Sequence, residues 1–204
     1  MRPSLGEVLD QLERSRRLGF LGDGPVADHA AHALELLGAA LRVGGGTVLD
    51  LGSGGGVPGL LAVLEPAWTR VVLVDRSQRR CAFLRSCVAE LGVGDLVDVV
   101  VGEAEIVARR DELRERADCV VARSFGPAAA TVECAAPLVR VGGLVIVSDP
   151  PTGRSWPEDG LTALGLSELE HDGHTKLSIF EKTTPTDERF PRRAGVPARK
   201  PLWS

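Results

Sequence analysis

Two aspartates each close an apolar run, and both stand where a carboxylate can meet a bound ligand. Val48-Leu49-Asp50 leads into Leu51-Gly52-Ser53-Gly54-Gly55-Gly56-Val57-Pro58-Gly59, and Val71-Val72-Leu73-Val74 ends in Asp75. The first stretch reads as strand, tight loop and helix start, with Pro58 in the first helical turn and residues 60–64 as the helix. Glycines let the backbone take positive φ and let a ligand approach with no Cβ in the way. A helix N-terminus behind them would offer free N–H groups to an anionic or carboxylate-bearing ligand.

Two ligands compete for that loop. Gly54-x-Gly56-x-x-Gly59 fits the dinucleotide fingerprint. Asp50-x-Gly52-x-Gly54-x-Gly56 resembles the loop that holds S-adenosylmethionine (SAM) in Rossmann-like methyltransferases. In a dinucleotide enzyme the strand runs straight into the first glycine, whereas here Asp50 intervenes. An acid at that point suits the ammonium of a methionine moiety and repels a pyrophosphate, so the loop favours SAM over a nicotinamide dinucleotide. Asp75 fits either ligand, because a carboxylate ending the second strand can accept from both ribose hydroxyls. It could equally cap the helix that follows.

The elements that must position these groups follow from periodicity. Residues 4–18 carry Leu5, Val8, Leu9 and Leu12 at helical spacing, and residues 26–41 form a second helix with Ala30, Ala33, Leu34 and Leu37 on one face. His29 and His32 in it read as partly exposed helical histidines. Strands are expected at 71–75, 96–101, 117–122 and 144–147, with helices over 77–91 (Ser77 as N-cap; Cys81, Leu84, Val88 and Leu91 inward) and 128–138. Residues 166–169 and 177–182 read as a closing antiparallel hairpin with His171 and His174 in its turn. Asp149-Pro150-Pro151 reads as a proline turn. Strands alternating with helices predict a mostly parallel α/β sheet of seven strands.

Within that frame, Ala104 and Glu105 follow the third strand, where a carboxylate or backbone group can read an exocyclic amine; Glu105 could instead sit at a helix start for the dipole. Arg123 follows the fourth strand at the edge of the crevice where ligands bind in such sheets, with a surface salt bridge as the alternative. Residues 189–203 hold five cations (Arg189, Arg192, Arg193, Arg199 and Lys200), no acid and several prolines. This predicts an extended tail, either contacting phosphate or simply solvated.

Composition bounds the rest. At 204 residues with 44% hydrophobic and 25% charged content the chain is expected to be one soluble domain. No apolar run is long enough to span a bilayer, and residues 1–5 lack a signal core. Cys81, Cys87, Cys119 and Cys134 show no metal spacing and read as reduced, buried thiols, which predicts a cytoplasmic protein without a metal. The net charge of −4 means that nucleic-acid binding would need a local patch. The absence of Tyr removes the Tyr-Lys pair of short-chain reductases.

The chain resembles the bacterial 16S ribosomal RNA guanine-N7 methyltransferase family. The resemblance rests on residues 50–59, on Leu73-Val-Asp-Arg-Ser-Gln-Arg-Arg-Cys-Ala-Phe-Leu84, on Ala122-Arg-Ser124, and on Phe190-Pro-Arg-Arg-Ala-Gly-Val-Pro197 with Lys200-Pro-Leu202. It implies a Rossmann-like SAM-dependent methyltransferase fold ending in an antiparallel strand. It divides the chain into a helical cap (1–42), a SAM-binding domain (43–185) and a basic Pro-rich tail (186–204). It implies SAM as donor, 16S ribosomal RNA or the small ribosomal subunit as partner, and a monomer. Cofactor contacts are implied at Gly52, Gly54, Gly56, Val57, Ala104, Glu105 and Arg123, with Asp50, Ser53 and Asp75 added from the loop and strand ends. The N-terminal region departs from the family: Arg17-Leu-Gly-Phe-Leu-Gly-Asp-Gly24 replaces its Trp-Asn and Asn-Leu-Thr segment, and Ala31-His32 stand where it has Asp-Ser. Ser148-Asp-Pro-Pro151 replaces a Lys-Gly. A SAM enzyme acting on a small molecule and a non-catalytic RNA-binding relative are the alternatives.

Overall fold

The computed structural model describes residues 2–150, 152–172 and 176–203. Seven strands form one sheet: β1 (Gly46–Leu51), β2 (Trp68–Asp75), β3 (Val97–Val101), β4 (Ala117–Ala122), β5 (Val139–Ser148), β6 (Leu166–Asp172) and β7 (Leu177–Lys182). Their order is β3-β2-β1-β4-β5-β7-β6. The first five are parallel, and β7 runs antiparallel to both β5 and β6. The chain leaves β1 toward β2 and β3, then returns to lay β4 on its other side. That reversal opens a crevice beyond the carboxyl ends of β1 and β4.

Alternation along the strands divides the core into two layers. Val48, Val71, Leu73, Cys119, Val121 and Ile146 face α1 (Leu5–Arg17), α2 (Val26–Ala40) and α3 (Gln78–Glu90). Leu49, Leu51, Val72, Val74, Val120 and Val145 face α4 (Ala104–Val107), α5 (Ala128–Ala135) and the C-terminal tail. A further helix, α6 (Glu158–Ala163), leads into β6. The first helix starts on a capping box that the sequence carries openly: Ser4 Oγ accepts from the Glu7 N–H, and Glu7 Oε2 accepts from the Ser4 N–H at 2.8 Å. Arg2 pins this end by donating to the carbonyls of Val63 and Trp68 at 2.8 and 2.7 Å.

Three expectations are corrected. Residues 60–64 do not open an α-helix; a string of turns containing a cis Val57–Pro58 bond leads to one 3-10 turn, Leu61–Leu64. Pro66 follows Glu65, whose ψ is 115°, as expected for a residue before proline, so no longer helix can form. The helix expected over 128–138 ends at Ala135 ahead of Pro137, and β5 already begins at Val139. The tail is not extended: it winds through turns into α7 (Val196–Arg199). The proline turn expected at 149–151 falls partly outside the described residues at Pro151, as does His174 in the hairpin turn. No helix among the described residues is long and apolar enough to cross a membrane.

Candidate active site

A cavity of about 770 Å³ lies beyond the carboxyl ends of the parallel strands. This is within the roughly 300–1,000 Å³ usual for small-ligand sites. Its floor is Leu51 and Gly52 after β1 and Val74 and Asp75 at the end of β2. One side is Gly102, Glu103, Ala104 and Glu105, the other is the Ser124–Pro127 turn after β4. Arg76, Arg80 and, from α5, Ala130 and Cys134 also line the cavity, and a further wall comes from the tail through Ala194, Gly195, Pro197, Ala198 and Arg199.

Asp50 lies behind this floor, 1% exposed. Its Oδ2 accepts from the Gly59 N–H at 2.9 Å, while its Oδ1 is buried with no hydrogen-bond partner among the described residues. Burial raises its pKa to about 7 against the pull of the Gly59 amide, the Ser53 hydroxyl and the Arg123 charge, and the nearby Asp75 adds to the rise. The N–H expected for a ligand is therefore spent on the loop's own carboxylate. Gly59 has no room for a side chain: a Cβ there would meet Leu73 Cδ2, and Asp50 Oδ2 at 2.6 Å. Ser53 is equally inward, donating to the Asp50 carbonyl at 2.9 Å. Gly56 and Val57 do not line the cavity; Val57 packs in the α1–α3 layer. Ser15 in α1 donates to the Gly55 carbonyl at 2.8 Å, so the helical cap sits directly on the loop.

Asp75 serves several partners at once. Its Oδ2 accepts from the Gly54 N–H at 2.9 Å and its Oδ1 from the Ser77 N–H at 2.8 Å, with Arg80 3.8 Å away. Ser77 caps α3 as expected. Asp75 faces the cavity while it braces both the glycine loop and the helix start, and a carboxylate retains acceptor positions beyond two amides. Gly52, at φ +81°, brings bare backbone to the floor, and a Cβ there would meet the Phe125 ring at 2.7 Å. Ser124 turns the chain at φ +52°, sending Phe125 over Gly52.

Arg123 is not among the cavity-lining residues. Its Nη2 meets His29 Nδ1 at 2.6 Å, and His29 Nε2 meets the Gly22 carbonyl at 3.2 Å. A guanidinium can only donate, so His29 accepts from Arg123 through Nδ1, which leaves Nε2 to donate to the Gly22 carbonyl. Burial lowers the Arg123 pKa, opposed by the field of Asp50. Burial and the Arg123 charge together hold His32 below its ordinary value. Arg123 thus joins α2 to the end of β4 beside the crevice.

Comparisons with known proteins bear on the family and the fold. A family model described as GidB, rRNA small subunit methyltransferase G, matches residues 29–148. The chain belongs to that family. A ribosomal RNA small subunit methyltransferase G from Rubrobacter xylanophilus is 37% identical over 77% of the chain and 65% of its own length. Its counterpart from Deinococcus deserti is 34% identical over 88% of the chain and 78% of its length. The match thus spans just under two thirds of the Rubrobacter relative. Among solved structures, geranyl diphosphate methyltransferase in complex with SAM superposes with a TM-score of 0.56 at 13% identity, covering 75% of this chain and 85% of that one. That likeness shows a shared Rossmann-like methyltransferase fold.

In this family member the cavity brings together Gly52, Asp75, Ala104, Glu105 and Arg199 from the residues singled out in the sequence. The tail cations divide. Arg192 is bound to Glu133, a fully buried carboxylate, through Nη2 at 2.6 Å, Nε at 2.9 Å and its backbone N–H at 2.8 Å. Arg189 stacks over the Phe190 ring with its guanidinium 4.8 Å from the centroid. Arg193, Arg199 and Lys200 are exposed.

Several residues that hold the site together gave weaker sequence signals. Glu133 is a lone acid in the apolar helix α5, and a buried carboxylate demands a partner. Lys182 ends β7 fully buried, donating to the Ala136 carbonyl and Thr186 Oγ1 at 2.6 Å each and to Glu115 Oε1 at 3.1 Å. Burial lowers its pKa, opposed by Glu115. Nothing in the sequence pairs Arg109 and Arg114 with carbonyls some 80 residues away. Asp149, after β5, accepts from Ser178 Oγ at 2.5 Å and lies 3.8 Å from Arg154. Among the described residues no group of three or more His, Cys, Asp or Glu is placed to hold a metal ion.

Proposed function

We infer that this chain transfers a methyl group from SAM to N7 of a guanine in 16S ribosomal RNA, acting as a cytoplasmic monomer. The observation that carries the donor reading is the pairing of two acids at one crevice: Asp75 on the floor and, behind it, the buried Asp50 with an orphaned oxygen. With Asp75 facing Arg80, the carboxyl that distinguishes the ligands is Asp50, which a cation-bearing nucleoside would favour in its ionised form and a pyrophosphate would not. Asp75 would hold the ribose diol, and the bare backbone at Gly52 would let the ligand lie against the loop. Bound SAM supplies an electrophilic methyl on a sulfonium.

Guanine N7 presents an in-plane lone pair and no proton, so the acceptor needs no general base. The cavity lining fits that demand. Its thiol, Cys134, is pushed well above its ordinary pKa by burial, with Glu105 and Glu133 adding to the rise, and is no thiolate nucleophile. Phe125 and Pro127 in the Ser124–Pro127 turn add apolar lining to the cavity. The chain's task is alignment, which contributes on the order of 7–11 kcal/mol at most. The exposed Arg193, Arg199 and Lys200 supply the local positive patch that RNA requires on an acidic protein.

Ribosomal RNA from cells lacking the protein should lose one N7-methylguanosine, measured by nucleoside mass spectrometry, and regain it when the purified chain and SAM are added. Unchanged modification would exclude this acceptor.

A further inference from the structure

The C-terminal tail carries part of the family resemblance, and its basic composition points to RNA. Its placement points elsewhere. Two guanidiniums reach across from the segment after α4 and take successive tail carbonyls. Arg109 binds those of Glu188, Arg189 and Pro191 at 2.6–3.1 Å. Arg114 binds those of Thr186 and Phe190 at 2.9 and 3.0 Å. Glu133 grips Arg192 at three points, and Glu105 Oε1 accepts from the Gly195 N–H at 2.8 Å. Gly195 at φ +75° then turns the chain into α7, whose Pro197 is buried.

These anchors deliver small apolar residues to the cavity. Ala194, Pro197 and Ala198 line the same cavity as Gly102, Ala104 and Asp75, joined to that side by the Glu105–Gly195 bond. An aliphatic wall beside a diol-accepting carboxylate is the surface that a flat, weakly polar purine ring needs. Glu105 itself is committed to the tail, so whatever meets the ring on this side is supplied in part by the segment that Glu105 holds.

We propose that residues 194–199 are part of the donor site, forming the wall against the nucleoside end of SAM. This rests on the SAM reading above and adds a binding segment to it. Alanine 198 is exposed at this wall, and all four native cysteines are buried. A198C and A194C therefore each introduce one accessible thiol at the wall, and E188C introduces one elsewhere on the tail.

The test is the rate at which an aromatic disulfide reagent modifies each full-length variant, with SAM binding followed separately by calorimetry. Saturating SAM should slow modification of A198C and A194C by about fivefold or more, as expected for a site occupied most of the time, and leave E188C unchanged. Adenosine alone should protect in the same way, and methionine alone should not. Normal calorimetric binding with unprotected A198C and A194C overturns the proposal, as does equal protection of E188C. If the unmodified chain binds no SAM by calorimetry, the donor reading itself fails and the wall falls with it.

Discussion

The glycine loop and the tail both contribute to one cavity, and they are held in place by different means. The loop is built from neighbours: Asp50 accepts from Gly59, nine residues on, and Ser53 donates to the Asp50 carbonyl. The tail is held by partners from α5 and the segment around α4, 59 to 90 residues away, chiefly Arg109, Arg114, Glu133 and Glu105. A local arrangement carries a sequence signature because its geometry demands particular residue types at fixed offsets. A remote arrangement needs only a charge at each end, and two charges far apart in sequence do not identify each other.

The contrast can be broken most forcefully at the tail. Arg192→Ala strips the buried Glu133 of its guanidinium partner and leaves it one backbone N–H, and should destabilise the chain by about 3–5 kcal/mol, read by denaturant unfolding. Arg193→Ala, one residue away and exposed, should change stability little. On the loop side, Gly59→Ala drives a methyl into Leu73 and the Asp50 carboxylate, and a loss of about 3 kcal/mol is expected in the same assay.

Asp50 sharpens the comparison through pH. With its native pKa raised to about 7, it keeps its proton where the unfolded chain has already lost it. Stability should therefore fall as pH rises from about 5.5 to 7, by about 2 kcal/mol, and level off above. Asp50→Asn should flatten that decline while still accepting from Gly59. A profile for Asp50→Asn that parallels the unmodified chain would show the carboxyl to be ionised throughout. A cationic ligand should favour the ionised form, so SAM binding near pH 6.5 should release a proton, detected by calorimetry in buffers of different ionisation enthalpy.

The smallest effect concerns the exposed cations. Lys200→Ala and Arg193→Ala should each lower the salt dependence of RNA binding by about one unit of slope without changing SAM affinity.

Sequence alone located the sheet, both strand-ending acids and the floor of the cavity, because alternation and glycine spacing are local. It misjudged the stretch after the loop, where Pro66 stops a helix that Leu60 to Leu64 would otherwise support. It left Arg192 as a tail cation, either for phosphate or for solvent, when the determining fact is a solitary glutamate in α5. That signal was visible in Ala-Ala-Ala-Thr-Val-Glu133-Cys-Ala, but only its need for a partner could be read there. The identity of the partner depends on how the tail crosses the sheet. Phe125 was hidden for a related reason: it matters because Ser124 takes a left-handed turn, which no residue type near it requires.

The order of synthesis gives the tail wall a further meaning. A nascent chain that has completed β7 possesses every strand and both acids, yet one side of its cavity is still missing until residues 194–199 emerge and dock. On the proposed role of that wall, competence to bind waits until the sheet is finished, and a nick between Lys182 and Arg192 would leave the wall held only by side-chain contacts such as those of Glu133 and Glu105.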